Sequence, residues 1–166
     1  MLKLSAFVND SIVDGPGLRF SVFVQGCPHH CPGCHNPQTH PFEGGTPTEA
    51  EELLDRIRRN PLLDGVTFSG GEPFCQAKEL ATLGKEIRTL GLNIMTYTGY
   101  TFEYLYAHRN EGGIGELLSV TDWLVDGQFI EAQRSLELRF RGSANQRILD
   151  VPKSLTAGKP IDAVLL

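Results

Sequence analysis

The segment LRFSVFVQGCPHHCPGC, residues 18–34, carries the strongest pattern in the chain. Residues 18–25 alternate apolar and polar side chains and are rich in β-branched and aromatic types, a pattern typical of a β-strand. Three cysteines, Cys27, Cys31 and Cys34, follow at once in a C-x3-C-x2-C spacing. The sequence therefore predicts a strand whose carboxyl end carries a short loop of thiols.

Thiolates this close together on one loop are typical ligands of an iron-sulfur cluster. A four-iron cluster held by three thiolates has one iron without a protein ligand, and a substrate or cofactor can bind there. A structural zinc site is the alternative, and it requires four ligands. The chain has no second C-x2-C pair, but His29, His30 or His35 could complete a Cys3His site. The spacing favours a cluster and leaves zinc open.

The rest of the chain alternates between strand-like and helix-like patterns. Thr48 and Glu51 form a capping-box pattern at the start of one helix. The predicted elements are helices over 48–59, 76–90 and 100–108, strands over 66–69, 92–97 and 123–125, and a β-rich tail over 136–151. Such alternation predicts a parallel sheet wrapped by helices. Because a complete eight-fold barrel takes about 250 residues, we expect an α/β fold, a partial, open TIM-type barrel built as a single domain over residues 1–166.

Composition restricts the function classes. The net charge is −5 and the pI is about 5.5, so no basic surface is expected for nucleic-acid binding. No apolar run approaches the roughly 20 residues that span a bilayer, and the first residues lack the apolar core of a signal peptide. Four cysteines, three of them crowded together, suit a ligand set in a reducing compartment. We expect a soluble cytoplasmic protein that binds neither nucleic acid nor membrane.

Several motifs extend the pattern beyond the cysteines. They are residues 14–37, which contain DGPGLRFSVFVQGC and HHCPGCHNP, SGGEP at 69–73, TYTGYTFEYL at 96–105, LVDGQF at 124–129 and FRGSANQR at 140–147. The cysteine run with SGGEP resembles the radical S-adenosylmethionine activases, which install glycyl radicals on other enzymes. The later motifs resemble one branch, the anaerobic ribonucleoside-triphosphate reductase activating proteins. These similarities run from about residue 10 to residue 147.

The resemblance implies the radical S-adenosylmethionine fold and two cofactors. A 4Fe-4S cluster would be bound by Cys27, Cys31 and Cys34, and S-adenosylmethionine would bind at the free iron. The residues that it assigns to this cofactor lie at strand ends: Ser69, Gly70, Gly71 and Glu72 near its methionine end, Thr96, Tyr97 and Thr98 near its ribose and adenine, and Asp126 near the exit side of the radical. No catalytic residue is expected beyond the cluster and the cofactor.

The function implied is that of a radical-generating oxidoreductase. Reductive cleavage of S-adenosylmethionine would give a 5'-deoxyadenosyl radical, which would remove a hydrogen from a glycine of an anaerobic ribonucleotide reductase. A flavodoxin- or ferredoxin-like protein would supply the electron. The alternatives are an activase of another glycyl radical enzyme, such as pyruvate formate-lyase, and a non-catalytic zinc-binding adaptor.

Structural interpretations accompany these assignments. The Gly70–Gly71 pair also suits a plain strand-to-helix turn, and Asp126–Gly127, a common turn dipeptide, also suits a solvated turn. Cys75 is interpreted as a buried small apolar residue, and His29 and His30 as solvated loop residues. The basic tail would contact the partner, the cofactor or neither, with surface ion pairs as the structural alternative. Its arginines are Arg134, Arg139, Arg141 and Arg147. We also expect the partner protein to cover the site, with a glycine-bearing loop entering between the first strand and the Asp126 strand.

Overall fold

A single mixed sheet organises the chain. The computed structural model describes residues 1–165. The sheet has seven strands in the order β3-β1-β2-β4-β5-β6-β7. Their bounds are Leu2–Ser11 (β1), Arg19–Val24 (β2), Thr46–Thr48 (β3), Gly65–Gly70 (β4), Asn93–Tyr97 (β5), Trp123–Asp126 (β6) and Arg147–Asp150 (β7).

The four central strands, β2, β4, β5 and β6, are parallel to one another. The outer strands are antiparallel, because β1 pairs with β2 and β3, and β7 pairs with β6. The predicted α/β fold with an open sheet of parallel strands is confirmed. The antiparallel strands at both sides were not predicted. They cover the edges of β2 and β6, which are therefore interior strands of the sheet.

Helices cover one face of the sheet. They are Ala50–Arg58 (α1), Ala77–Thr89 (α2), Phe102–Ala107 (α3), Ile114–Val120 (α4) and Val151–Ala157 (α5). Alternate strand residues such as Val22, Phe68 and Leu124 are fully buried and share one apolar cluster with helix residues such as Leu53 and Leu80. Burial of each such side chain contributes about 1.5–3 kcal/mol. This cluster is the core that holds the parallel strands in place.

The opposite face of the central strands, here called the polar face, carries a hydrogen-bonded cluster centred on Arg19. Its guanidinium is fully buried and donates from Nε to Thr67 Oγ1 at 2.7 Å and from Nη2 to the Val66 carbonyl at 2.9 Å. Burial lowers the pKa of Arg19 to about 10. The loop between β1 and β2 lies against the same face, because Thr67 Oγ1 donates to the Asp14 carbonyl at 2.8 Å and Ser21 Oγ to its carboxylate at 2.9 Å. The amino ends of the strands are thus closed by polar contacts on this face.

Long-range pairing changes the predicted start of α1. Thr48 is the last residue of β3, where it pairs with Leu2, and its hydroxyl donates to the Thr46 carbonyl at 3.0 Å. The residue before α1 is Glu49, whose side chain makes no capping bond. The predicted capping box is therefore wrong, because Thr48 belongs to a strand.

The tail and two helices also differ from the prediction. Only β7 is a regular strand within residues 136–151, and residues 135–146 are mostly turns. Strand β1 and helices α4 and α5 were not predicted. The helices of the described chain, residues 1–165, all lack the combination of length and hydropathy that a membrane span requires.

Candidate functional site

The candidate site lies where the four parallel strands end. Because β2, β4, β5 and β6 run in the same direction, the loops that follow them meet at one edge of the sheet. The loop after β2 carries the cysteines, the loop after β4 carries SGGEP, and the loop after β5 carries residues 98–101. These motifs therefore lie together at the carboxyl edge of the sheet, as predicted.

The three cysteines of the loop after β2 are free thiols. Cys27 is buried, and Cys31 and Cys34 are half-buried. Burial raises the pKa of Cys27 to about 11, and the charges of Glu72, Cys31 and Cys34 act in the same direction. Burial also raises the pKa of Cys31. The thiols are therefore close enough to influence one another, and ligand binding would release their protons.

The arrangement of the thiols bears on the type of metal centre. In the described part of the chain, no three His, Cys, Asp or Glu side chains stand close enough together to hold one metal ion. A mononuclear zinc site brings all its sulfurs to one ion at about 2.3 Å. A cluster spreads its thiolates, because each sulfur binds a different iron. Three free thiols on one short loop are a donor set that suits a cluster with one iron left open.

The glycines of SGGEP bring that segment against the cysteine loop. Gly70 has a φ of +105°, and a Cβ atom there would lie 2.4 Å from the Val24 backbone nitrogen. The backbone N–H of Gly71 donates to the Val24 carbonyl at 2.9 Å, and that of Glu72 donates to the Gly26 carbonyl at 2.8 Å. The close approach that glycine permits here is therefore between two segments of the chain itself.

The carboxylate of Glu72 joins the loops after β4 and β5. It is fully buried and accepts from Thr98 Oγ1 at 2.9 Å, from the Gly99 N–H at 2.8 Å and from the Phe74 N–H at 3.0 Å. A buried carboxylate is stable only when its lone pairs are met by donors. Glu72 is thus an anchor for two strand-end loops.

His29 connects the cysteine loop to this anchor, and sequence reasoning missed it. Its Nε2 lies 2.7 Å from Glu72 Oε1, and only 8% of its side chain is exposed. Its ring also packs edge-on against Tyr100, with centroids 4.6 Å apart. The interpretation of His29 as a solvated residue is wrong, whereas its neighbour His30 is exposed. No local pattern distinguishes the two histidines, because the partners of His29 lie more than 40 residues away.

The remaining predicted site residues divide between the two faces of the sheet. Ser69 lies beside Phe23 in the register, on the polar face with Tyr97, and both Ser69 and Tyr97 are half-buried. Burial raises the pKa of Tyr97 above its ordinary value. Thr96 lies on the helix-covered face, fully buried, with its hydroxyl 2.9 Å from that of Thr121. The structure does not bring the Thr96 side chain to the polar face.

Asp126 also lies on the helix-covered face and has its own partners. Its Oδ2 accepts from the Phe102 N–H at 2.8 Å, and its Oδ1 accepts from Arg147 Nε at 2.9 Å. Arg147 reaches on to Glu103 at 2.6 Å and lowers the pKa of that carboxyl. The buried Asp126 carboxylate thus holds the start of α3 and the start of β7 together, and the interpretation of a solvated turn is wrong for this side chain.

The loop after β6 reaches over the cysteine loop. Gln128 Nε2 lies 3.3 Å from His29 Nδ1, and Arg134 donates to the Gly33 carbonyl at 3.2 Å. Part of the cover over the cysteines therefore comes from the chain itself, a source that the sequence did not reveal.

Cys75 is an exposed thiol next to the site. Partial desolvation raises its pKa to about 11, with smaller contributions from Glu72 and Cys27. The interpretation of a buried apolar cysteine is therefore wrong.

Comparison with known proteins identifies relatives of the chain. The family model described as a 4Fe-4S single cluster domain matches residues 13–149. The anaerobic ribonucleoside-triphosphate reductase-activating protein of Escherichia coli (strain K12) is 37% identical over 147 residues, which cover 81% of this chain and 90% of that protein. The pyruvate formate-lyase-activating enzyme of Clostridium pasteurianum is 38% identical over 128 residues, which cover 74% of this chain and 50% of that enzyme.

Among solved structures, QueE from Escherichia coli is similar with a TM-score of 0.48 and 19% identity, over 60% of this chain and 53% of that one. The family match covers most of the chain, including the cysteine loop and the SGGEP segment. The chain therefore belongs to the 4Fe-4S single cluster domain family and, within it, to the anaerobic ribonucleoside-triphosphate reductase-activating proteins.

Proposed function

We propose that this protein is a radical S-adenosylmethionine activase that installs a glycyl radical on an anaerobic ribonucleoside-triphosphate reductase. One observation carries the proposal: the three-cysteine loop is tied to the SGGEP segment at the carboxyl edge of the parallel strands, through Glu72. The name of the Escherichia coli relative supports the choice of protein substrate.

Cys27, Cys31 and Cys34 would hold a 4Fe-4S cluster, whose fourth iron is left for S-adenosylmethionine. When bound, the reduced cluster supplies one electron to the sulfonium of S-adenosylmethionine, and cleavage of the sulfur–C5' bond gives methionine and a 5'-deoxyadenosyl radical. That radical would take a hydrogen atom from a glycine Cα of the reductase, which would leave 5'-deoxyadenosine and a glycyl radical. A flavodoxin- or ferredoxin-like protein replaces the electron.

The residues of the chain orient the cofactor. Ser69 and Tyr97 line the polar face next to the cysteine loop, and Thr98 lies between Glu72 and the backbone of Tyr100. The segment that would face the methionine end of S-adenosylmethionine contains Gly70, Gly71 and Glu72. The remaining two assigned residues, Thr96 and Asp126, would act indirectly, by keeping the strand ends in place through their buried partners.

The proposal also covers the setting of the protein. Residues 1–166 would act as a single domain, since one sheet and one apolar cluster join the elements described. Cytoplasmic location is part of the proposal, because free thiols persist in a reducing compartment. Neither nucleic acid nor membrane is a proposed partner, and the net charge of −5 is consistent with that.

Anaerobic reconstitution tests this function. The protein should bind about four irons and matching sulfide, cleave S-adenosylmethionine when reduced, and produce a glycyl radical signal on an anaerobic ribonucleotide reductase. Alanine at any of the three loop cysteines should abolish the cluster, whereas Cys75→Ala should retain it. A radical formed only on pyruvate formate-lyase would reassign the partner. Stoichiometric zinc without sulfide would support the adaptor alternative instead.

A further inference from the structure

The His29 ring is the point where three strand-end loops meet. It belongs to the cysteine loop after β2, its Nε2 lies 2.7 Å from Glu72 Oε1 after β4, and its Nδ1 lies 3.3 Å from Gln128 Nε2 after β6. Both ring nitrogens thus have a partner from a different loop. A solvated loop histidine would have neither.

The partners define which ring nitrogen carries the proton. The Glu72 carboxylate already accepts from Thr98, Gly99 and Phe74, so it acts as an acceptor toward His29 as well. Nε2 is therefore the donor, and Nδ1 is left to accept from the Gln128 amide.

The neighbouring loop after β5 is shaped to admit the ring. A Cβ atom at Gly99 would lie 2.4 Å from the His29 ring, so only glycine leaves room there. Tyr100 packs edge-on against the other side of the imidazole. Packing thereby fixes the orientation of the ring, in addition to its hydrogen bonds. His29 follows Cys27 by two residues in the sequence.

We propose that His29 is a positioning residue, which sets the orientation of the cysteine loop, and so of a bound cluster, relative to the SGGEP segment. This inference rests on the proposed function. Glu72 transmits the position of SGGEP to the imidazole, and Gln128 extends the link to the loop that lies over the cysteines. His29 itself touches neither the reacting atoms nor a metal in this role.

Two substitutions at His29 test the proposal in anaerobically reconstituted full-length protein. His29→Phe keeps a ring against Tyr100 and removes both hydrogen bonds, whereas His29→Gln retains a side-chain donor for Glu72. We expect His29→Phe to bind iron and sulfide as the wild type does. It should bind S-adenosylmethionine about tenfold more weakly, because the lost hydrogen bond to the Glu72 carboxylate no longer holds the cysteine loop in position relative to the SGGEP segment. Addition of S-adenosylmethionine should then alter the electron paramagnetic resonance spectrum of the reduced cluster less than in the wild type. His29→Gln should restore much of both responses.

His30→Asn is the matched control, because His30 is the next residue of the loop, is exposed, and has a φ of 51° that asparagine tolerates. It should behave like the wild type. Wild-type affinity and an unaltered spectral response in His29→Phe would overturn the positioning role. So would loss of iron in both His29 variants, since that would make the imidazole a requirement for loop folding or ligation. A wild-type protein without a cluster would overturn the proposed function first, and these readouts need no reductase.

Discussion

Gly71 packs so closely on Gly26 that a Cβ atom added to Gly71 would lie 2.3 Å from the Gly26 carbonyl oxygen. The cysteine loop begins one residue later, at Cys27. The segment that would hold S-adenosylmethionine and the loop that would hold the cluster are therefore in backbone contact, and neither can shift without the other.

Gly71→Ala should consequently damage both functions at once. The added methyl group must separate the two segments, because its neighbour is backbone that cannot rotate away. We expect iron content to fall by about half and S-adenosylmethionine binding to weaken in parallel. Iron and sulfide quantification with equilibrium dialysis would measure this. Gly44→Ala should keep its cluster, because its Cβ atom would meet nothing within 4 Å and the strain from its φ of +91° stays within an exposed loop. Normal iron content in Gly71→Ala would contradict the expectation.

Arg19→Ala should destabilise the protein by about 3–5 kcal/mol. The substitution leaves a cavity and removes the buried donors that serve Thr67 Oγ1 and the carbonyls of Pro16 and Val66. Urea unfolding of the metal-free protein would measure the change. Arg58→Ala is the control, because Arg58 is exposed on α1 and its acidic neighbours are 3.7 Å away; its effect should stay below about 0.5 kcal/mol. Equal effects of the two substitutions would contradict the structural role of Arg19.

The buried Cys27 thiol should make the stability of the metal-free protein fall at high pH. Burial raises its pKa from an ordinary 9.0 to about 11, so the folded state holds this proton more tightly than the unfolded state. The resulting stabilisation is complete below pH 9 and is lost as the pH rises toward 11. The free energy of unfolding of wild type minus that of Cys27→Ala should therefore decrease by about 1–3 kcal/mol over that interval. A constant difference would show that the folded-state pKa is not raised.

Asp126→Ala should loosen two elements together. Asp126 is buried, and its removal takes away the acceptor of the Phe102 N–H and one of the two carboxylates that bind Arg147, at a cost of about 1.5–3 kcal/mol. Hydrogen exchange should increase at the start of α3 and along β7. Glu103→Ala removes only the exposed partner of Arg147 and should change exchange little. Increased exchange confined to the loop after β6 would contradict the assigned role of Asp126.

A bound reductase should protect the loops at the carboxyl edge. We expect slower hydrogen exchange at residues 27–34 and 127–146, because these segments surround the site. The glycine-bearing loop of the reductase cannot enter at an open edge of β2 or β6, since β1 and β7 pair with those strands. Entry over the strand ends is therefore expected. Protection limited to α1 would place the partner elsewhere.

The central strands and the cysteine site were predictable because their signals are local. Alternation over residues 18–25 corresponds to β2, and the cysteine spacing lies within eight residues. Alternation also carried information that the predicted site did not use. Thr96 and Tyr97 are consecutive in one strand and point to opposite faces, so only one of the two side chains lies on the polar face.

The features that were missed depend on contacts between distant segments. Thr48 matches a capping pattern, but its pairing with Leu2 makes it part of a strand. His29 differs from His30 only because Glu72 and Gln128 reach it from other loops. Pairing and hydrogen bonding over such separations leave no periodic trace along the chain.

The polar contacts of Asp14, Arg19 and Thr67 give the polar face of the sheet a sealed floor. On the proposed function, the cofactor and its products would pass through the opening at the opposite end, over the strand ends. A bound reductase would block that opening, so methionine and 5'-deoxyadenosine would stay in the site until the reductase dissociates. Each binding event of the reductase would therefore consume one molecule of S-adenosylmethionine. The dissociation rate of the complex would then limit the turnover rate of the activase.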